Sequence, residues 1–447
     1  MKRYILTTLL LALILCLIPL LSACTDTGNT TPVDTYAATL QETSALLEDT
    51  ELETEDPYPN AISPEALEEA QITYDCQDDS VLKTYENQTA ENYRNLCDFY
   101  RKNGYDLYAA TEKSGNLFET YVKGEAMAHI YFFPVKNELN LITSETAGAT
   151  LPPKTPAVTS GEHEVTVTQM RDPSHVNGMG YVIRLSDGSF IIYDGAYTEQ
   201  ARPLYSFLSD TVGDGEIVIR AWVLTHSHND HYPTFRAFSK RYSDKVAVEH
   251  VIIAPIDAQT AVEQGGDKYL NKEFHDCVSA FEGAKTVYAH TGMTFTFCNL
   301  QMEILMTADD IYKNGNHGDY FNNSSIVSRL YADNYSALFL GDIGIQGTDL
   351  MEELYGDYLQ SDMCQVSHHG VEDVPLSFYE RVKASILFYP CSLWLYDQTD
   401  RHWDVRKALE EREYTKEILI AGLGLYTRTW GTTFEKDAPL SMPDYPN

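Results

Sequence analysis

Three apolar runs in this chain stop abruptly on polar clusters, and that pattern limits the architectures open to it. Ile217 to Leu224 runs into Thr225-His226-Ser227-His228-Asn229-Asp230-His231, Ser336 to Leu340 into Gly341-Asp342, and Cys364 to Val366 into His368-His369-Gly370. Short apolar runs bounded by turn signals read as buried strands. Helical stretches intervene, among them Asp230 to Arg241 and Arg406 to Arg412. Upstream, Val165 to Met170, Gly180 to Leu185 and Phe190 to Tyr193 add strands, with Ser186-Asp187-Gly188 as a hairpin turn. Strands that alternate with helices and deliver polar residues at their ends build a layered α/β body with one chemically active edge.

The polar clusters have the composition of a metal site. Zinc takes imidazole nitrogen and carboxylate oxygen, and a catalytic site must hold several of these on a rigid frame with one position open. His226 and His228 stand two apart at a strand end, so both side chains project to one side. Asp230 and His231 follow at a helix start, which supplies enough ligands for two ions close enough to share one hydroxide. Taken alone, three His and one Asp in a polar loop are equally compatible with exposed side chains. The motifs further along the chain decide between the two readings.

Thr225 to His231 resembles the signature of the metallo-β-lactamase superfamily, and the other motifs of that family follow in order between about Glu162 and Leu425. Asp194, in Phe190-Ile191-Ile192-Tyr193-Asp194-Gly195, is similar to the strand-end Asp that supports the histidine loop. Asp342 resembles the carboxylate that bridges both metals, and His368-His369-Gly370 the late histidine motif. Together with Asn322-Asn323-Ser324-Ser325-Ile326-Val327, these motifs look most like two branches: the hydrolase domain of DNA-uptake competence proteins, and phosphorylcholine esterase. The resemblance implies an α/β fold, the metallo-β-lactamase αββα sandwich, over residues 161–447.

It also implies two Zn²⁺, or another divalent metal. Site one would use His226 and His228, site two Asp230, His231 and His369, with Asp342 between them. Neighbouring side chains leaving a strand point in opposite directions, so only one of the pair reaches the metals, and His369 is preferred to His368 because relatives often carry Gly-His-Gly there. His368 then faces the substrate. The chain departs from the family where many relatives place a His before the central strand, since it has Asn322-Asn323 there, with His317 a few residues upstream as the other candidate third-motif ligand. Tyr232-Pro233 replaces the usual small residues after His231, so the helix start is expected to differ. His402, beside Arg401, falls where competence-type relatives carry a polar loop, and is a candidate phosphate contact. His129, His163, His175, His250, His275 and His290 have no motif context.

The mechanism implied is metal-assisted hydrolysis, in which two zinc ions bring the pKa of a bound water to about 7 and the hydroxide attacks phosphorus or a carbonyl. Asp230 or Asp342 would orient the hydroxide, and His368 or His402 would stabilise charge or protonate the leaving group. Branch resemblance favours a phosphoester or phosphodiester of the cell envelope. The rivals are a lactonase or β-lactamase on the same fold, and a catalytically idle metal-binding surface lipoprotein. A nuclease is disfavoured by the net charge of −34, which repels nucleic acid.

The rest of the chain bears on location. Residues 1–23 read as a signal peptide: Lys2 and Arg3, an apolar run from Leu9 to Leu21, then Leu21-Ser22-Ala23-Cys24, which resembles a lipobox with Cys24 as the lipidated residue. The expected location is therefore extracytoplasmic, anchored to the membrane through lipid. Residues 24–79 lack Lys and Arg and are rich in Glu and Asp, as expected of an acidic tether. Residues 80–145 read as a small α+β domain, with a helix on Tyr93, Leu96, Cys97 and Tyr100 followed by four strands, and 146–160 as a Pro-rich linker. Six further cysteines show no Cys-x-x-Cys pair, and only Cys76 with Cys97 suggests a disulfide worth testing.

Overall fold

The computed structural model describes residues 56–67, 69–173, 177–257, 259, 270–313, 315, 321–370, 374–400 and 402–444. Cys24, His175, His317 and Arg401 lie outside the described residues. The described residues belong to a single compact unit, Asp56 to Asn447.

That unit begins with an antiparallel sheet. Its strands are β1 (Ile72–Asp75), β2 (Val81–Tyr85), β3 (Asp106–Lys113), β4 (Asn116–Lys123), β5 (Ala126–Phe133) and β6 (Glu138–Ser144), in the order β1-β2-β6-β5-β4-β3. Helix α1 (Ala90–Lys102) begins at Thr89, whose hydroxyl accepts from the Asn92 N–H, an N-cap that satisfies one of the free donors of the first turn. It buries Tyr93, Leu96, Cys97 and Tyr100 against Tyr121, Ile130 and Leu141 of the sheet. The edge strand β1 comes from residues the sequence reading assigned to the tether, where its half-exposed alternation leaves little apolar signal. The other face of the sheet, with Leu82, Phe118, Tyr131 and Ile142, joins the main hydrophobic core.

The main body holds two further sheets. One runs β13 (Lys285–Tyr288), β12 (His250–Ile253), β10 (Val218–Val223), β9 (Phe190–Asp194), β8 (Gly180–Arg184), β7 (Thr166–Gln169) and β21 (Tyr426–Thr429), with the short β11 (Ala247–Val248) also pairing β10. The other runs β14 (Thr294–Phe297), β15 (Leu300–Met306), β16 (Val327–Ala332), β17 (Tyr335–Phe339), β18 (Met363–Gln365), β19 (Ile386–Tyr389) and β20 (Glu417–Ile420). Period-two alternation sorts each strand between layers. In β9, Ile191 and Tyr193 face the inter-sheet core, where Tyr193 stacks on Phe339 at 4.2 Å, while Phe190 and Ile192 pack under helices.

Those helices are α2 (Ala201–Val212), α3 (Pro233–Tyr242) and α4 (Leu270–Ser279), which contribute Leu204, Phe235, Phe238 and Phe274. On the far side, helix α5 (Ala308–Tyr312) follows β15, and α6 (Ile345–Tyr355), α7 (Leu376–Val382), α8 (Leu393–Tyr396) and α9 (Trp403–Glu410) accompany the second sheet. The body is thus an αββα sandwich. Helix α3 starts at Pro233, three residues later than the sequence suggested, because Asn229 to Tyr232 form turns and Pro takes the first helical position. All six described cysteines are buried and free, so Cys76 and Cys97 are not paired. Cys97 is on the buried face of α1, whereas Cys76 belongs to the main core on the other side of the sheet.

Candidate metal centre

The C-terminal ends of β9, β10, β17 and β18 deliver the polar residues to one edge. Asp194 closes β9 in a left-handed conformation (φ 51°), which Asp tolerates better than most residues. Its carboxylate is fully buried and takes three donors: the Thr225 N–H at 2.7 Å, the Thr225 hydroxyl at 2.7 Å and His231 Nδ1 at 2.8 Å. Gly195 follows because a Cβ there would meet Thr234 at 2.6 Å. Gly341 (φ 57°) likewise lets β17 pass Ser325, whose side chain would lie 2.7 Å from an added Cβ.

The side chains form two clusters that share Asp342. In one, His226, His228 and Asp342 offer ligand atoms within 4.8 Å of one another, and in the other Asp230, His231, Asp342 and His369 do the same. His226 Nε2 lies 3.1 Å from His228 Nδ1 and 3.8 Å from Asp342 Oδ2. Asp342 Oδ2 is also 3.1 Å from His231 Nε2 and 3.3 Å from His369 Nε2, and Asp230 Oδ2 is 3.3 Å from His369 Nε2.

Three imidazoles are oriented by a partner on the far nitrogen. His369 Nδ1 faces the Pro390 carbonyl at 2.6 Å, and a carbonyl only accepts, so Nδ1 carries the proton and Nε2 is turned inward. Asp194 does the same for His231, and the Thr225 and Ser325 hydroxyls, both at 3.2 Å, face His226 Nδ1. Holding a ligand imidazole through its second nitrogen is how metal sites set tautomer and ring orientation. His369 Nε2 and Asp342 Oδ1 are buried and make no hydrogen bond of their own. Orphaned acceptors converging beside a shared carboxylate fit divalent cations, and the N/O donor set suits zinc among others.

Electrostatics agrees with this fit. Burial favours neutral imidazole, but Asp342 and Asp194 hold His231 protonated well above the usual histidine range, and Asp342 with Asp230 lifts His369 to about 10. Burial likewise opposes ionisation of Asp342, yet His231 and His369 hold its carboxyl well below the usual range. Burial, with His231 beside it, pushes His226 well below. The carboxylates draw positive charge into the cluster, as protons or, in their place, as metal ions.

Of the paired histidines, His369 enters the cluster, while half-buried His368 places Nε2 3.4 Å from Asn322 Nδ2. Strand alternation is not the cause. Both residues sit in left-handed conformations (φ 46° and 58°) within a turn after β18, and that turn splays the rings. Asn322 and Asn323 are buried in a 3-10 turn, where Asn323 Oδ1 accepts the Gly344 N–H beside Asp342. His402 does not join either cluster. It stands at the N-cap position of α9 without a side-chain cap hydrogen bond, and lines a small cavity behind Gly370 with Tyr389 and Arg406.

Sequence reasoning missed Asn177, whose Nδ2 donates to Asp230 Oδ2 at 2.6 Å and whose backbone bridges Cys391. It also missed Gln365, which ties Leu340 and Gly341 to β18 through both ends of its amide. Asn177-Gly178 carries one sequence clue: Gly178 admits no Cβ, because Ala196 would stand 2.7 Å from it.

Residues 175–309 match the family model of the metallo-β-lactamase superfamily. Among solved structures, the chain is similar to the metallo-β-lactamase fold protein YhfI from Bacillus subtilis, at 12% identity over 60% of this chain and 100% of that one, TM-score 0.39. It is also similar to CmlA, a diiron β-hydroxylase from Streptomyces venezuelae, at 14% identity over 59% and 46% of the two chains, TM-score 0.32. The Zn²⁺-bound PqqB from Methylobacterium extorquens shares 8% identity over 45% and 72%, TM-score 0.30. No curated protein matches the sequence. From the sandwich, the ligand clusters at its strand ends and the matched segment, the chain carries a domain of the metallo-β-lactamase superfamily, whose members are typically hydrolytic metalloenzymes.

Proposed function

We propose that the protein is a two-zinc hydrolase of a phosphoester or phosphodiester in the cell envelope. The observation that carries this reading is the sharing of Asp342 by two adjacent ligand clusters, one of three residues and one of four. His226, His228 and Asp342 would hold one ion, and Asp230, His231, Asp342 and His369 the other. Zinc bound there would lower the pKa of water toward about 7 and polarise the ester.

The chain's own residues do the rest. Asp230, which accepts from Asn177 Nδ2, or Asp342 would orient the attacking hydroxide. His368, half-buried beside Asn322, would stabilise developing charge or protonate the departing oxygen. The phosphoester preference rests on the likeness of Asn322 to Val327, Gly341-Asp342 and His368-His369-Gly370 to phosphoester-acting branches. The envelope location rests on residues 1–24.

Metal analysis of the purified chain followed by parallel phosphomonoester, phosphodiester, lactone and β-lactam panels tests the reading. Close to two zinc ions and turnover confined to phosphoesters are expected. Turnover of a lactone or lactam alone would replace the substrate class, and a zinc-reconstituted protein holding no metal would refute the proposal.

A further inference from the structure

β10 and β12 lie side by side and parallel, with Trp222 paired to Val251 and Val223 to Ile252. Their C-terminal ends therefore leave the sheet together, one into the histidine loop and the other into Ala254-Pro255-Ile256, and the Leu224 N–H still bonds the Ile252 carbonyl at 3.0 Å. Between them opens a pocket that has His226 and Ser227 on one wall. Leu224, Tyr232, Ala254, Ile256 and Phe274 make up most of the remainder, and among the described residues no Asp, Glu, Lys or Arg lines it.

We infer that this pocket receives an uncharged, apolar substituent of the substrate, a short alkyl group attached to the ester held at the metal centre. The inference rests on the reading of that centre as hydrolytic. His226 belongs to both places, as a candidate ligand and as pocket wall, so a group seated in the pocket is attached next to the reacting bond. The free volume of about 60 Å³ is well under the roughly 150 Å³ that holds a six-carbon ring, and admits about two or three non-hydrogen atoms. A charged group entering an apolar wall of this kind would lose its hydration without a partner, so the pocket selects against it. Ile253, Ala254 and Pro255 are only half-buried, which leaves apolar surface open beside the histidines.

The test uses the metal-loaded full chain and two ligand series. Alkyl p-nitrophenyl phosphodiesters from methyl to octyl report turnover, and the matching alkylphosphonates report binding by calorimetry. Each methylene buried is worth about fourfold, so kcat/KM and phosphonate affinity should climb about fourfold per methylene through ethyl or propyl, then level or fall. Ala254→Phe, which fills the pocket, should collapse the ratio of propyl to methyl in both series; metal content and circular dichroism establish that the variant is folded. Phosphonates that bind without chain-length preference overturn the inference. A climb that continues unbroken to octyl also overturns it, since that is the behaviour of an open apolar surface. If no phosphodiester turns over while propylphosphonate still binds more tightly than methylphosphonate, the phosphoester reading fails and the pocket stands.

Discussion

Asp194→Asn tests whether the metal centre is set from behind. The carboxylate uses Oδ1 for the Thr225 N–H and Oδ2 for both the Thr225 hydroxyl and His231 Nδ1. Asparagine has one acceptor oxygen, and the backbone N–H of Thr225 can only donate, so the amide oxygen must stay on that side. Its NH₂ then faces His231 Nδ1 and donates to it. The imidazole answers by moving its proton to Nε2, the nitrogen that lies 3.1 Å from Asp342 Oδ2 and is needed as a metal ligand.

Losing an orienting partner of this kind typically lowers metal affinity 10- to 100-fold, about 1.4 to 2.7 kcal/mol. The loss should fall on the cluster containing His231 and spare the one containing His228. Calorimetric zinc titration of wild type and variant measures it. A variant that binds both ions with wild-type affinity would refute the reasoning.

Three other outcomes are expected. His369→Ala should lose one metal equivalent, His368→Ala should retain both and lose turnover, and Asp342→Ala should weaken both sites; metal content with kcat separates the three, and metal loss in His368→Ala would reverse the two roles. Cys24→Ala should abolish lipid labelling and release the chain into the medium, as fractionation reads, whereas a variant still bound to membrane would make Leu9 to Leu21 an uncleaved anchor. Buried His290 sits between Asp78 at 3.2 Å and Asp309 at 2.7 Å, and although burial disfavours its charge, these carboxylates lift it to about 10. Its folded pKa is above the unfolded value of about 6.5, so its stabilisation is complete below that pH and is lost as pH rises through about 10. Asp78→Asn should cost about 3 kcal/mol at pH 7 and flatten the alkaline limb of a denaturation series; an unchanged limb would exclude this network as its source.

The sequence makes the candidate ligands legible because strand-end placement and donor chemistry are both local. An apolar run closing on His, Asp and His states the element, its end and the chemistry within a dozen letters. The partners that orient those ligands are not local. Pro390 acts on His369 through a carbonyl that every residue possesses, and Asn177 reaches Asp230 across 53 positions. The paired histidines show a subtler limit. The expectation that only one of the two reaches the metals rests on a strand rule, yet consecutive left-handed residues turn the chain there. No residue in Ser367-His368-His369 announces that conformation, because glycine, its usual signal, comes only at Gly370.

The first sheet shows how a segment can look separable in sequence and still belong to the body in space. Its helix and strands were legible from apolar spacing, but one of its faces has no core except the body's own. The contacts across that face are buried and polar as well as apolar. Lys113 Nζ reaches the Gly292 carbonyl at 3.1 Å, His129 Nε2 the Thr291 carbonyl at 2.8 Å, and Lys313 bridges Glu138 and Asp310 at 2.7 and 3.0 Å. Buried polar groups tolerate little displacement, since each loses its partner while staying out of water. They also converge on α5: Tyr131 bonds Asp310 at 3.3 Å, and His290 bonds Asp309. Helix α5 lies against the turn carrying Asn322 and Asn323, so the sheet braces that side of the candidate metal centre.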